Sequence, residues 1–239
     1  MRTLLAFDTA TEQMSIAVAV GERVLTHEAV GGAQASATLI PAILALLTQA
    51  GVGLRDLDAI AFGRGPGAFT GLRTACSVAQ GLAFGAEKPV LPIDTLLAVA
   101  EDSRGEAEAW RVWVAMDARM NEVYAAQYAY AAGHWQVLDA PLLITPEALN
   151  ERWRAAPPQV VAGSAMAAFG VQLQPGAAAR LCNDARPTAR AMLPLARASW
   201  QAGGAVDAAL ALPLYLRDKV AQTTVEREAT RLAKLEAAS

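Results

Sequence analysis

Trp113-Val-Ala-Met-Asp117 repeats, half a chain later, the pattern of Leu4-Leu-Ala-Phe-Asp8. Each is a short apolar β-type run that ends on an aspartate. Each aspartate is followed by a polar turn containing a glutamate, and then by an alternating run: Ser15 to Val20 in the first case, Val123 to Tyr130 in the second. Period-two alternation marks half-buried strands, and a tight turn (Gly21-Glu22, Gly133) leads each time into a third strand. Arg23 to Val30 and Trp135 to Leu138 are those third strands. Asp8 and Asp117 therefore hold equivalent places in two βββα units. Identity between the halves is low, but the order of elements repeats, and an internal duplication fixes architecture before any single residue does.

Between the two copies the first half continues with a change of period. Leu39, Ile40, Ile43, Leu44, Leu46, Leu47 and Ala50 recur at helical spacing, with Ser36 or Thr38 available as cap, Pro41 harmless in a first turn, and Gly51 and Gly53 as the stop. The apolar run Asp58 to Phe62 predicts a strand, and Gly63-Arg-Gly-Pro-Gly-Ala-Phe-Thr-Gly-Leu-Arg73 continues it into a helix reaching Phe84. Thr70 is the expected N-cap. Such a glycine loop has two readings: an anion site at a helix N-terminus, or a corner where two backbones approach closely. It is not a Walker loop, because no Gly-Lys-Ser/Thr comes after it. Within the helix, Gly71, Ala75, Ala79 and Ala83 recur every four residues, a small-residue ridge suited to close packing by another helix. Leu72, Cys76, Val78 and Leu82 occupy the other side, so this helix needs cover on more than one face. A strand Val90 to Ile93 and a helix Thr95 to Asp102 complete the first half as βββαβαβα.

The second half adds a helix at Pro146 to Arg154 with Thr145 as N-cap, a strand Gln159 to Ala162, and a helix Thr188 to Gln201. Leu212 to Arg217 is extended, and Thr224 to Ala237 reads as a charged, solvated helix. The expected division is 1–103, 104–204, and a terminal 205–239 that packs back on the first half.

Composition narrows the function. With 239 residues, 54% apolar and 18% charged, the chain can bury a large core, and a net charge of −3 argues against a nucleic-acid-binding surface on this chain alone. Two cysteines, Cys76 and Cys182, in apolar surroundings read as reduced core thiols, which with the lack of a signal-like start or membrane-length run points to a cytoplasmic protein. His27 and His134 stand far apart, and neither metal-ligand spacing nor a nucleophilic triad is present.

The duplicated βββα pattern resembles the actin-like ATPase (ASKHA) fold, an α/β architecture of two subdomains. Leu5-Ala-Phe-Asp-Thr-Ala-Thr-Glu12, Gly65-Pro-Gly-Ala-Phe-Thr-Gly-Leu-Arg73, Met116-Asp-Ala-Arg-Met-Asn-Glu-Val-Tyr124 and Pro213-Leu-Tyr-Leu-Arg217 resemble, in order and over nearly the whole chain, the TsaB (YeaZ) family. Two positions depart from its pattern: Ala35, near where many relatives have a histidine, and Ala68, where serine is usual. The resemblance implies a non-catalytic subunit without a cofactor or metal. Such a subunit binds a TsaD-type enzyme, joined by a TsaE-type ATPase, in making threonylcarbamoyladenosine beside the anticodon of tRNA. It implies a homodimer when alone, tRNA contact only through the complex, and docking through the first two helices. The expected interface is Leu39, Ile43, Leu46, Leu47, Gly71, Thr74, Ala75, Val78, Ala79 and Leu82.

In actin-like ATPases the first hairpin contacts phosphate, which makes Asp8, Thr9, Thr11, Gly65, Gly67 and Thr70 the nucleotide-loop candidates; the other reading of Asp8-Thr9-Ala10-Thr11 is a capped β-turn. For the second half, Asp117 and Arg119 have two readings, the matching turn of that half or an internal ion pair, and the ion pair is expected. Only Gly163-Ser164 is present as a second phosphate loop. An ATP-dependent phosphotransferase of the same fold, or a glycoprotease-like metallopeptidase, are the alternatives.

Overall fold

The computed structural model describes residues 2–217, so the expected terminal helix lies outside the described residues. β1 (Thr3–Asp8), β2 (Gln13–Val20) and β3 (Arg23–Val30) form an antiparallel meander. α1 (Ala35–Ala50) leads to β4 (Ala59–Gly65), which pairs parallel with β1, and α2 (Phe69–Ala86) leads to β5 (Val90–Asp94), parallel with β4. α3 (Thr95–Arg104) then crosses to the second half. There β6 (Trp110–Asp117), β7 (Val123–Ala131), β8 (His134–Ile144), α4 (Pro146–Ala155), β9 (Val160–Ala162), α5 (Ala165–Phe169), β10 (Arg180–Cys182) and α6 (Ala189–Gln201) come in turn. The first sheet runs β3-β2-β1-β4-β5 and the second β8-β7-β6-β9-β10, with the same parallel and antiparallel senses. The chain is an α/β protein with a duplicated actin-like fold.

The layers follow from the side chains that each face must hide. Leu5, Phe7, Ile16 and Phe62 point to α1 and α2, while Leu4, Ala6, Ala61 and Leu91 point the other way, to α6. With both faces covered, β1 and β4 read as continuous apolar runs. α3 sits between the sheets: Ala98 joins the first core, and Leu96 and Val99 pack on Val112 and Tyr128 of the second. α4 and α5 close the far face with Leu149, Trp153 and Phe169 over Trp113 and Val123. The two halves thus exchange helices, since α3 comes after the first sheet but packs on β6, and α6 comes after the second but packs on β1 and β2. Among the described residues, no helix is long and apolar enough to cross a membrane.

Several local expectations change. α1 begins at Ala35 after a 3-10 turn at Gly32–Gln34, so neither Ser36 nor Thr38 caps it, and Pro41 falls inside the helix rather than in its first turn. Thr38 instead donates its hydroxyl to the Gln34 carbonyl. α2 begins at Phe69 with Ala68 as N-cap, which puts Thr70 inside the first turn. Thr145 caps α4 as expected, accepting from the Ala148 amide at 3.3 Å. α5 and β10 have no counterpart in the sequence reading, because elements of five and three residues are too short to show a period.

Candidate functional site

Two regions concentrate the motif residues: the corner where the glycine loop meets the β1–β2 turn, and the cleft between the halves. At the corner, Asp8 is buried at the end of β1. One carboxylate oxygen accepts from the Ala10 amide at 2.7 Å, and the other accepts from the Thr95 hydroxyl at 2.9 Å. Burial raises its pKa to about 6, against the lowering effect of those two donors. A Cβ on Gly63 would lie 1.7 Å from the Asp8 carboxylate, and one on Gly71 would lie 1.9 Å from the Thr9 carbonyl oxygen. Thr9 donates its hydroxyl to the Gly71 carbonyl at 2.7 Å, and the Ala68 amide donates to the Ala10 carbonyl at 2.8 Å.

The structure gathers Asp8, Thr9 and Gly65 at this corner, where Asp8 accepts from Ala10 and Thr95, Thr9 donates to the Gly71 carbonyl and the Gly65 amide donates to the Thr95 hydroxyl. Gly67 abuts Ala10 and lines the cleft. Gly63 and Gly71 are glycine for space, since neither has positive φ. Thr11 bonds within its own turn to Gln13, and Thr70 lies exposed on α2 with its carbonyl accepting from Thr74. The geometry is that of the corner where two backbones touch.

The cleft has a volume of about 710 Å³ and is lined from both halves, with Thr11, Glu12 and Gly67 facing Asp117, Arg119 and Ser164. Asp117 pairs with Arg119 at 3.1 Å, and Arg119 also pairs with Glu12 across the cleft. Ser164 accepts from the Asp117 amide at 3.1 Å, while a Cβ on Gly163 would lie 2.6 Å from the Ala115 carbonyl. Gly163-Ser164 is therefore the second half's close-approach corner, equivalent to the Gly63 loop. Arg119, Met120 and Asn121 all have left-handed φ (61°, 55° and 58°). Sequence reasoning missed Arg186, which reaches over the cleft to Gln13 and Glu28. No spacing signals it, because its role comes from α6 crossing to the first sheet. Among the described residues no group of three or more His, Cys, Asp or Glu gathers as a metal site.

Most of the expected interface residues are turned into the chain's own core. Leu39, Ile43, Leu46 and Leu47 of α1, and Gly71, Ala75, Val78 and Ala79 of α2, are buried in the chain's own core; Thr74 and Leu82 are half-buried. The ridge of Ala75, Ala79 and Ala83 lets α2 lie close on its own sheet, chiefly over β4. The outward-facing residues include Ile40 (40% exposed) and Leu44 (45%) on α1, with Ser77, Gly81 and Phe84 (83%) on α2.

Residues 24–224 match the family model described as TsaD, tRNA N6-adenosine threonylcarbamoyltransferase. The protein named "tRNA threonylcarbamoyladenosine biosynthesis protein TsaB" of Escherichia coli K12 is 36% identical, covering 91% of this chain and 96% of its own length. The protein of the same name from Haemophilus influenzae is also 36% identical, over 91% and 94%. The solved structure "YeaZ from Pseudomonas aeruginosa" superposes with a TM-score of 0.82 at 40% identity, over 90% of this chain and 100% of that one. The chain belongs to the TsaB (YeaZ) family. Ala35 and Ala68, the two positions singled out in the sequence, have different surroundings. Ala35 is buried at the start of α1, whereas Ala68 stands at the N-cap of α2, where a serine hydroxyl would cap and a methyl group does not.

Proposed function

We propose that this chain is a non-catalytic subunit in tRNA threonylcarbamoyladenosine biosynthesis, which binds and activates a TsaD-type enzyme through the outer faces of α1 and α2. A TsaE-type ATPase joins that assembly in the cytoplasm, and the chain alone pairs with itself through the same face. The observation that carries this is the exposure of Ile40, Leu44 and Phe84 on two adjacent helices of the first half. An apolar set on neighbouring helices, beside small residues at Ser77 and Gly81, suits a helix-on-helix contact. The net charge of −3 leaves most tRNA phosphate contacts to the partner. No cofactor or metal takes part in this reading, because Asp8 and Thr9 spend their hydrogen bonds within the corner.

The test is size-exclusion chromatography with light scattering, with and without the TsaD-type protein of the same genome. A homodimer that converts to a one-to-one heterodimer is expected. Phe84→Glu with Leu44→Glu should leave the chain folded, weaken that heterodimer at least tenfold, and give a monomer when alone. A wild-type chain that ignores the partner and turns over ATP would overturn the proposal in favour of a phosphotransferase.

A further inference from the structure

The segment after α6 ties three places together that are distant in sequence. Val206 exchanges two backbone hydrogen bonds with Val90 of β5, both at 2.9 Å. The chain then runs along α2, where the Ala211 carbonyl accepts from the Cys76 thiol at 2.7 Å and from the Gln80 amide at 3.0 Å. Leu214 donates to the Arg64 carbonyl at 2.6 Å, and the Tyr215 ring sits 5.2 Å from Phe69 while its hydroxyl accepts from Arg73 at 3.3 Å. Two residues on, Arg217 crosses to the second half. It pairs with Glu122 at 2.8 Å and donates to the carbonyls of Ala118 (2.9 Å) and Arg119 (3.3 Å).

Those last contacts grip the β6–β7 turn, the one with three consecutive left-handed residues. Non-glycine residues hold that conformation only where their surroundings over-determine it. Within the turn, Ala118 and Glu122 bond through the backbone at 2.9 Å, and Glu122 donates to Arg119 at 3.1 Å. Arg217 adds charge-assisted bonds from outside. The turn in its place carries Arg119, whose pairing with Glu12 links the halves across the cleft.

We infer that residues 206–217 are a strap coupling the start of α2 to the cleft turn at 118–122, with Arg217 as the positioning residue. Displacement of Tyr215 at α2 loosens the turn, and a load on α2 tightens it. The functional consequence rests on α2 being the partner face; the coupling itself does not.

Hydrogen–deuterium exchange of the full chain, read by mass spectrometry, tests it. The Tyr215 ring and hydroxyl contact Phe69 and Arg73 at the α2 end, and Tyr215→Ala should speed exchange across 118–122 about tenfold while β1 amides stay protected. Arg217→Gln should do the same, and Arg217→Lys should restore part of the protection. Unchanged exchange at 118–122 in Tyr215→Ala would overturn the inference. If Tyr215→Ala loosens β1 as well, Tyr215→Phe, which loses only the Arg73 bond, decides the matter by the same two outcomes. With the TsaD-type partner added, slower exchange at 118–122 supports the strap, and partner binding that leaves the turn unchanged overturns it. Failure to bind at all strikes the proposed function, while the isolated-chain result still decides the strap.

Discussion

Asp8 and Asp117 end the equivalent strands of two sheets wired in the same order, yet they live in different chemistry. Asp8 is sealed between Gly63 and Thr95, the first residue of α3, with both oxygens occupied by internal donors. Asp117 lies at the cleft, paired with an arginine that is largely exposed. The difference comes from the elements that close each corner. The first half's corner is packed shut by the glycine loop and α3, whereas the second half's corner has the short Gly163-Ser164 turn beside it and lies on the cleft. Duplication copied the wiring, and burial then divided the roles: one corner is structural, the other is open to adjustment.

The contrast breaks most severely at Gly71. An added Cβ there meets the Thr9 carbonyl at 1.9 Å, a backbone atom held by the β1–β2 turn, so relief requires the corner to open. Gly71→Ala should cost about 3 kcal/mol or more in urea unfolding. Gly81, on the same helix but with nothing within 4 Å of the place a Cβ would take, should behave oppositely. Gly81→Ala should gain about 0.5–1 kcal/mol, because only helix propensity changes. Equal effects at the two glycines would mean that the corner is not as tight as its geometry indicates.

Asp8 offers the next largest effect, through pH. Its folded pKa of about 6 lies above the ordinary value of 3.8, so the folded state holds a proton that the unfolded chain has released. Stability therefore falls as pH rises through that window. The cost of the charged form approaches about 3 kcal/mol above pH 6, from 1.36 kcal/mol for each pKa unit. Unfolding free energy should rise on going from pH 7.5 towards pH 4.5, once compared with Asp8→Asn, which keeps an acceptor for Ala10 and lacks the titration. Parallel pH profiles for the two proteins would show that Asp8 is not buried as a charge.

How much of this was legible in the sequence depends on the signal each residue carries. The two apolar runs ending in aspartate exposed the duplication, because strand burial and turn polarity are both local properties. The glycine loop exposed a tight corner without saying whether it held a ligand, since a glycine required for contact and one required for an anion look alike. The outward face of the first two helices was not legible. Leu39 and Ile40 are adjacent and equally apolar, and a broad stripe does not say which edge meets the core. The ridge of Ala75 and Ala79 fits a sheet as well as a helix, and only the position of β4 beneath it chooses. Arg186 and Arg217 were silent for a different reason: their partners lie far away in sequence and meet them only because α6 and the terminal strap cross between the halves.

A smaller effect is expected at the helix start beside the closed corner. Ala68 occupies the N-cap of α2 with extended backbone (φ −63°, ψ 125°) and makes no side-chain cap bond. Ala68→Ser supplies an acceptor for a free amide of the first turn, and should stabilise the fold by about 1 kcal/mol. A rise in Tm with an unchanged denaturant slope would place the gain in the folded helix. A serine that leaves Tm unmoved would mean those amides are already satisfied by solvent.

The smallest effect belongs to the open corner, and its smallness is the point. Arg119 is 70% exposed, so its pairs with Asp117 and Glu12 are screened by water and weakened by the entropy of a long side chain. Glu12→Gln should change stability by less than about 1 kcal/mol, an effect that shrinks further in roughly 0.5 M salt. Asp8 has no comparable salt dependence to lose, because its partners are an amide and a hydroxyl rather than a cation. The same residue type at the same topological position thus answers to pH in one half, while its counterpart's ion-pair network answers to ionic strength in the other. A salt-insensitive cost of several kcal/mol at Glu12 would instead make the bridge across the cleft a structural clamp, and would put both corners in one class.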